Sequence, residues 1–260
     1  MWEKELETSK QAAMEAGGRI MEIYEDPALW KVEYKEDKSP LTEADRVSNE
    51  VIVMALRAAF PSYALLSEEE KDNKDRLDND CCFVVDPLDG TKEFIKRNGQ
   101  FTVNIALAYR HRVVMGVIYV PAIGELYFAS EGSGAFYADS CGVTTRIHVS
   151  DNTGYDRLRA VVSGSHPCGE MERLISEYNI RNTVRIGSSL KGCMVADGQA
   201  DIYYRHNPTM EWDTAAMQCI VEEAGGIFRQ MDDSEMLYNR DNSLNEKGFY
   251  AINRIENRLR

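Results

Sequence analysis

An apolar strand, Phe83-Val84-Val85, runs directly into Asp86-Pro87-Leu88-Asp89-Gly90-Thr91. Pro and Gly hold the turn, so two carboxylates three residues apart converge on one point at the strand end. Mg²⁺ takes this kind of arrangement: hard oxygen ligands, few of them, with water positions left for a substrate. Leu88 adds a backbone carbonyl between the two acids. Gly90 and Thr91 open a short helix over 91–97, which turns their N–H groups toward a phosphate. A plainer reading is an Asp-Gly turn followed by a helix cap. The hexapeptide alone does not choose between the two.

Around this junction the chain reads as layered α/β. Its 260 residues, 43% hydrophobic, suffice for one large domain or two small ones. Leu6, Ala13, Ala16, Ile20 and Ile23 recur at helical spacing across 3–24. Val47, Val51, Ala55 and Ala58 do so across 43–59, where Pro61 ends a second helix. Residues 31–41 read as a loop or short hairpin, Leu65-Leu66-Ser67 as a short strand, and the polar run 71–80 as a surface loop. Residues 101–109 and 112–120 form a hairpin of buried strands, with further strands at 125–129 and 135–137. A polar boundary at 150–156 separates a first half, 1–150, from a second, 151–260. The second half alternates strands at 160–164, 183–187 and 201–204 with helices at 169–178, 188–197 and 214–224. It ends in strands near 227–229 and 248–252. Strands and helices in both halves predict packed α/β layers.

Composition and missing motifs narrow the chemistry. Lys plus Arg number 30 against 43 Asp plus Glu, a formal charge of -13, which argues against gripping polymeric nucleic acid by its phosphates. Charge or Gly interrupts every apolar stretch before it reaches the ~20 residues of a membrane span. The first residues lack a signal peptide's basic and apolar regions. A cytoplasmic protein is expected, with peripheral attachment to the inner membrane as the alternative. Cysteines at 81, 82, 141, 168, 193 and 219 form no C-x-x-C, and most read as reduced core thiols. There is no P-loop, no H-E-x-x-H and no G-x-S-x-G; Tyr137 stands where a third Gly would complete Gly132-Ser133-Gly134.

Other acidic residues each have two readings. Glu68 and Glu69 follow a short strand and suit either a ligand or a solvated acidic loop. Asp213, in Glu211-Trp212-Asp213-Thr214, suits a ligand or a plain helix N-cap. Asp45 lies in Thr42-x-x-Asp45, which approximates a capping box. Ser188 and Lys191 share a face at the start of a helix, where they make either an anion site or an N-cap with a solvated Lys. Tyr203-Tyr204 and Phe94-Ile95 read as core.

The residues resemble a known family. Pro40-Leu-Thr-Glu-Ala-Asp45, Ser67-Glu68-Glu69, Asp86-Pro-Leu-Asp-Gly-Thr-Lys-Glu-Phe-Ile95 and Trp212-Asp213-Thr-Ala-Ala216 match the inositol monophosphatase superfamily in order and spacing over nearly the whole chain. Within it, Thr91-Lys-Glu-Phe-Ile-Lys-Arg-Asn-Gly-Gln-Phe-Thr-Val-Asn-Ile-Ala106 resembles the 3'(2'),5'-bisphosphate nucleotidases of the bacterial CysQ type. Inositol phosphatases usually continue the D-G-T with Asn-Phe. The resemblance implies an α-β-α-β-α five-layer sandwich, with most metal ligands in 1–150 and Asp213 and the nucleotide-binding segments in 151–260.

It also implies two or three Mg²⁺ per active site. One is held by Glu68, Asp86 and the Leu88 carbonyl, another by Asp86, Asp89 and Asp213; the acidic run leaves Glu68 or Glu69 as the first of these. Asp45 and Thr91 match the pair that activates water. Leu88, Asp89, Gly90, Thr91 and Asp213 also face the substrate. Ser188 and Lys191 match the group that holds the non-scissile phosphate, Arg205 adds a contact, and Ser165-His166 lies near the base.

The implied activity is removal of the 3'-phosphate from adenosine 3',5'-bisphosphate, and from its sulfated relative, in sulfate assimilation, with sensitivity to Li⁺. A homodimer is compatible with the family, although no interface residues stand out. The rivals are an inositol or sugar phosphatase and a non-catalytic sensor of metal and phosphonucleotide.

Overall fold

The apolar spacings at the N-terminal end become α1 (Glu3–Glu25) and α2 (Glu43–Ala59). Between them, β1 (Val32–Tyr34) pairs antiparallel with β2 (Pro40–Thr42). The computed structural model describes residues 1–26, 32–34, 40–164 and 168–260. Ala13, Ala16, Ile20, Ile52 and Leu56 on the two helices are buried against one face of a seven-stranded sheet. That sheet runs in chain order: β3 (Ala64–Ser67), β4 (Cys81–Asp89), β5 (Thr102–Tyr109), β6 (Arg112–Val120), β7 (Glu125–Ser130), β8 (Gly134–Ala138) and β9 (Thr144–Ile147). β3 and β4 are parallel and the remaining pairs antiparallel.

Strand β4 shows why its sequence is apolar without alternation. Phe83 and Val85 face α1 and α2, while Cys82 and Val84 face a second core on the other side. A strand covered on both faces has no position left for a solvated side chain. The cover on the second face is α5 (Leu190–Ala196) and α6 (Glu211–Glu223). Gly116 in β6 lets α6 approach closely: a Cβ there would lie 2.5 Å from the Ala216 carbonyl oxygen.

Beyond this helical layer lies a five-stranded sheet of β10 (Arg159–Ser163), β11 (Asn182–Ile186), β12 (Ile202–Arg205), β14 (Ile227–Gln230) and β16 (Phe249–Ile252), in the order β11-β10-β12-β16-β14. Its inner face gives Val161, Tyr203, Phe249 and Ala251 to the middle core. Its outer face gives Ala160, Ile202, Tyr204 and Tyr250 to a third core, closed by Met171 and Leu174 of α4 (Gly169–Glu177). The five layers are therefore α-β-α-β-α, as the resemblance implies. A short helix, α3 (Thr91–Ile95), and a two-residue pair, β13 (Thr209–Met210) with β15 (Leu244–Asn245), complete the described elements used below.

Several local expectations need correction. The apolar strand does not stop at Val85; the ladder continues through Asp89, with its register shifting between Asp86 and Asp89. The short helix after it ends at Ile95, not 97. The third helix of the second half starts at Glu211, not 214, because Asp213 caps from inside the first turn. The helix expected from 188 starts at Leu190, since Ser188 takes a left-handed backbone (φ 46°). Residues 71–80 are not a purely solvated loop, as Arg76 within them is buried. Strands β9, β13 and β15 are too short to carry a period-2 signal. Of the cysteines, Cys82, Cys193 and Cys219 are core thiols, Cys81 and Cys168 are half-buried and Cys141 is exposed.

Candidate active site

At its C-terminal end β4 bends over Pro87. Asp86 accepts the Leu88 N–H at 3.1 Å, and the Pro87 carbonyl accepts the Ser48 hydroxyl of α2 at 2.6 Å. The turn closes at Gly90, whose φ of 98° is a conformation that disfavours any side chain. This bend sets Asp86, buried in the sheet, beside the more open Asp89.

Asp213 reaches the same place from the other side of the molecule. It sits in the first turn of α6, where its carboxylate accepts the Met210 N–H at 2.7 Å. Carboxylate oxygens of Asp86, Asp89 and Asp213 all lie within 4.8 Å of one another. Burial, and then repulsion from Glu68, Asp89 and Asp213, pushes Asp86 well above the usual carboxylate range. Asp213 is raised to about 7, by burial first and by Asp89 next. Such a cluster is unfavourable as a set of bare charges, and its donor chemistry fits a hard divalent cation.

The triad lines a cleft of about 450 Å³ together with Glu68, Leu88, Gly90 and Thr91. Glu68 rather than Glu69 faces it. Asp45 reaches the cleft through Thr91. One carboxylate oxygen of Asp45 accepts the Thr42 N–H (2.7 Å) and hydroxyl (2.6 Å), completing the capping box of α2; the other accepts the Thr91 hydroxyl at 3.1 Å. Asp45 thus caps α2 with one oxygen and meets Thr91 with the other. Burial raises its carboxyl to about 6.

Ser188, Lys191 and Arg205 line the same cleft. Lys191 is buried, donates to the Ser188 carbonyl and lies 5.5 Å from the Tyr203 ring centroid. Desolvation lowers its ammonium to about 8. The Arg205 Nε is buried with no hydrogen-bond partner among the described residues. Tyr203 is both core and cleft wall. His166 and its neighbour Ser165 lie outside the described residues.

Sequence reasoning missed the residues that orient Asp89. The Ser189 hydroxyl donates to it at 2.7 Å, and the Asn104 amide reaches Ser189 at 2.9 Å and Asp89 at 3.4 Å. Asn104 left a signal, as an amide in the middle of an otherwise apolar strand. Ser189 left none beyond standing next to Ser188.

This fold and acidic cleft define a family. The inositol monophosphatase family profile matches residues 1–256, and the chain belongs to that family, which is metal-dependent. More specific relatives match most of its length. The 3'(2'),5'-bisphosphate nucleotidase CysQ of Salmonella typhimurium is 40% identical over 245 residues, spanning 94% of this chain and 98% of that protein. The Escherichia coli K12 protein of the same name is 39% identical over 240 residues, 92% of this chain and 96% of that one. Among solved structures, CysQ from Bacteroides thetaiotaomicron, a bacterial member of the same family, superposes with a TM-score of 0.83 at 42% identity, covering 96% of this chain and 97% of that one. An IMPase from Thermotoga maritima gives 0.80 at 27% identity over 96% and 92%. Among the described residues no helix is long and apolar enough to cross a membrane.

Proposed function

We propose that this protein is a Mg²⁺-dependent 3'(2'),5'-bisphosphate nucleotidase that hydrolyses adenosine 3',5'-bisphosphate to AMP and phosphate. The observation that carries the reading is one cleft lined both by the carboxylates of Asp86, Asp89 and Asp213 and by the cationic side chains of Lys191 and Arg205. A monophosphate needs only the first set of residues; a substrate with two phosphates uses both. The similarity to CysQ proteins supports the same substrate class.

Glu68, Asp86, the Leu88 carbonyl, Asp89 and Asp213 are the residues we assign to Mg²⁺, at two or three ions per site. The bound cations supply the positive charge that neutralises these carboxylates and the charge developing on the phosphate. Asp45 and Thr91 orient the attacking water. With its hydrogen committed to Asp45, the Thr91 oxygen offers a lone pair to a water proton, and Asp45 is the nearby base. Water adds to phosphorus as one of its protons passes to Asp45, the P–O3' bond breaks, and the nucleoside oxygen takes up a proton from solvent. Leu88, Asp89, Gly90 and Asp213 surround the scissile phosphate. Ser188, Lys191 and Arg205 hold the other phosphate, and His166 is assigned to the base.

Residues 1–150 supply most of the cation ligands, and residues 151–260 supply Asp213 and the nucleotide-binding segments. The 3'-phosphosulfate analogue is a second substrate, and the role is clearance of a sulfate-assimilation by-product. The reading carries a cytoplasmic location and a homodimer.

The test is phosphate release with Mg²⁺ from adenosine 3',5'-bisphosphate, inositol 1-phosphate and fructose 1,6-bisphosphate in parallel. A preference of a hundredfold or more for the nucleotide is expected. Equal rates on inositol phosphate would assign the cationic residues another purpose, and no release from any of them would favour a sensor.

A further inference from the structure

Asp213 and Glu68 stand on elements far apart in the chain, and a buried polar strap joins the two. Glu211 opens α6 two residues before Asp213 and is fully buried. Its carboxylate accepts the backbone N–H groups of Asn239 (2.6 Å) and Arg240 (3.0 Å) and pairs with the Arg240 guanidinium at 3.2 Å. Its own N–H donates to the Ser243 carbonyl at 2.9 Å. Segment 239–243 is therefore bolted to the start of α6.

The same segment is bolted on its other side to the chain that follows Glu68. Arg76, 4% exposed, donates to the Asn239 side-chain oxygen (2.8 Å), the Arg240 carbonyl (2.8 Å) and the Ser243 hydroxyl (3.3 Å). It also holds Asp72 through two bonds, at 3.1 and 2.8 Å. The Asn239 amide returns bonds to the carbonyls of Arg76 (3.0 Å) and Asn79 (3.2 Å). A guanidinium suits this position because its donors are spread in a rigid plane; an ammonium cannot serve five acceptor oxygens in those directions.

We propose that Arg76 and Glu211 are positioning residues for the metal site: through segment 239–243 they hold the Glu68 side of the cleft at a set distance from Asp213. Neither touches substrate or metal. The inference rests on the reading of the acidic cleft as a cation site. Carboxylates that converge from two elements bind a cation tightly only if the elements are already in place, since each fraction of an ångström of slack must be removed on binding.

The test uses the full chain and reads metal binding apart from turnover. Tb³⁺, sensitised by Trp212, which lines the same cleft, reports occupancy by luminescence. The variants are Arg76→Lys and Glu211→Gln. The control is Asp201→Asn, which removes the buried charge that pairs with half-exposed Arg159 (2.7 Å) beside the five-stranded sheet and destabilises without touching the strap.

Expected are at least tenfold weaker Tb³⁺ binding for either strap variant, unchanged affinity for Asp201→Asn, and a kcat at saturating Mg²⁺ within about threefold of the parent. Wild-type affinity in a strap variant that remains folded by circular dichroism overturns the proposal. So does equal weakening in Asp201→Asn, which would trace the effect to stability alone. If Arg76→Lys does not fold, Glu211→Gln carries the test. Failure of the parent protein itself to bind Tb³⁺ overturns the cation-site reading, and the strap proposal with it.

Discussion

Asp45 divides its carboxylate between a helix cap and the Thr91 hydroxyl, and this division makes one substitution informative. In Asp45→Asn the side-chain oxygen still accepts the Thr42 N–H, so the cap costs about 1 kcal/mol at most. The amide N–H₂ turned toward Thr91 is a donor where an acceptor stood, which reverses the hydroxyl and removes its lone pair from the water. Turnover is expected to fall about 10²- to 10⁴-fold, with the urea unfolding midpoint nearly unchanged. Full activity would remove Asp45 from the chemistry. Lys191→Ala separates the cationic residues of the cleft from the acidic ones. Losing a charged hydrogen bond should cost about 10- to 100-fold in kcat/KM on adenosine 3',5'-bisphosphate and less than twofold on inositol 1-phosphate. Equal losses on both would give Lys191 a general structural part instead.

Helix α6 reaches the cleft only because β6 lets it lie directly on the sheet. Gly116→Ala puts a methyl group 2.5 Å from the Ala216 oxygen and 2.9 Å from its Cα, both backbone atoms that cannot rotate away. The helix must move, at a cost of about 1–3 kcal/mol, and Asp213 moves with it. A lower urea midpoint together with a higher Mg²⁺ requirement is expected. An unchanged Mg²⁺ requirement would mean that the first turn of α6 is held by its N-terminal contacts alone. The contrast with Ser188 is instructive. Periodicity located both helices of the middle layer, yet the first residue of each was wrong, because a left-handed Ser188 and an inward cap from Asp213 are set by what the turn packs against.

Across the molecule, the raised carboxylates make stability depend on pH in a direction opposite to ordinary acid denaturation. Asp213 (about 7), Asp45 (about 6) and Asp86 (raised) bind protons more readily folded than unfolded. Their contribution is complete below the unfolded value near 4 and is lost as pH rises through 6 to 7. Asp201, lowered despite burial by its bonds to Arg159, Ser150 and Asn152, has the opposite sign but titrates below this window. The metal-free protein should therefore melt lower at pH 8 than at pH 5, by about 5 °C or more. Saturating Mg²⁺ should remove most of that difference, because it stabilises the ionised cluster. A metal-free melting temperature that rises from pH 5 to 8 would show that the cluster is not under strain.

Much of this protein was legible in local spacing. Helical periods, apolar strands and the Asp86–Thr91 turn depend on neighbours within a few residues, and a one-dimensional pattern records such neighbours faithfully. The four acidic motifs, taken in order, also marked the family. What no spacing contained was convergence. Asp89 and Asp213 lie 4.8 Å apart or less only because a seven-stranded sheet and α6 share one core, and Asp45 meets Thr91 because α2 packs on β4. Arg76 looked like one charge in a solvated loop until segment 239–243 folded over it. Contacts between residues more than a hundred positions apart are paid for by burial of whole layers, a collective quantity that no short window of residues expresses.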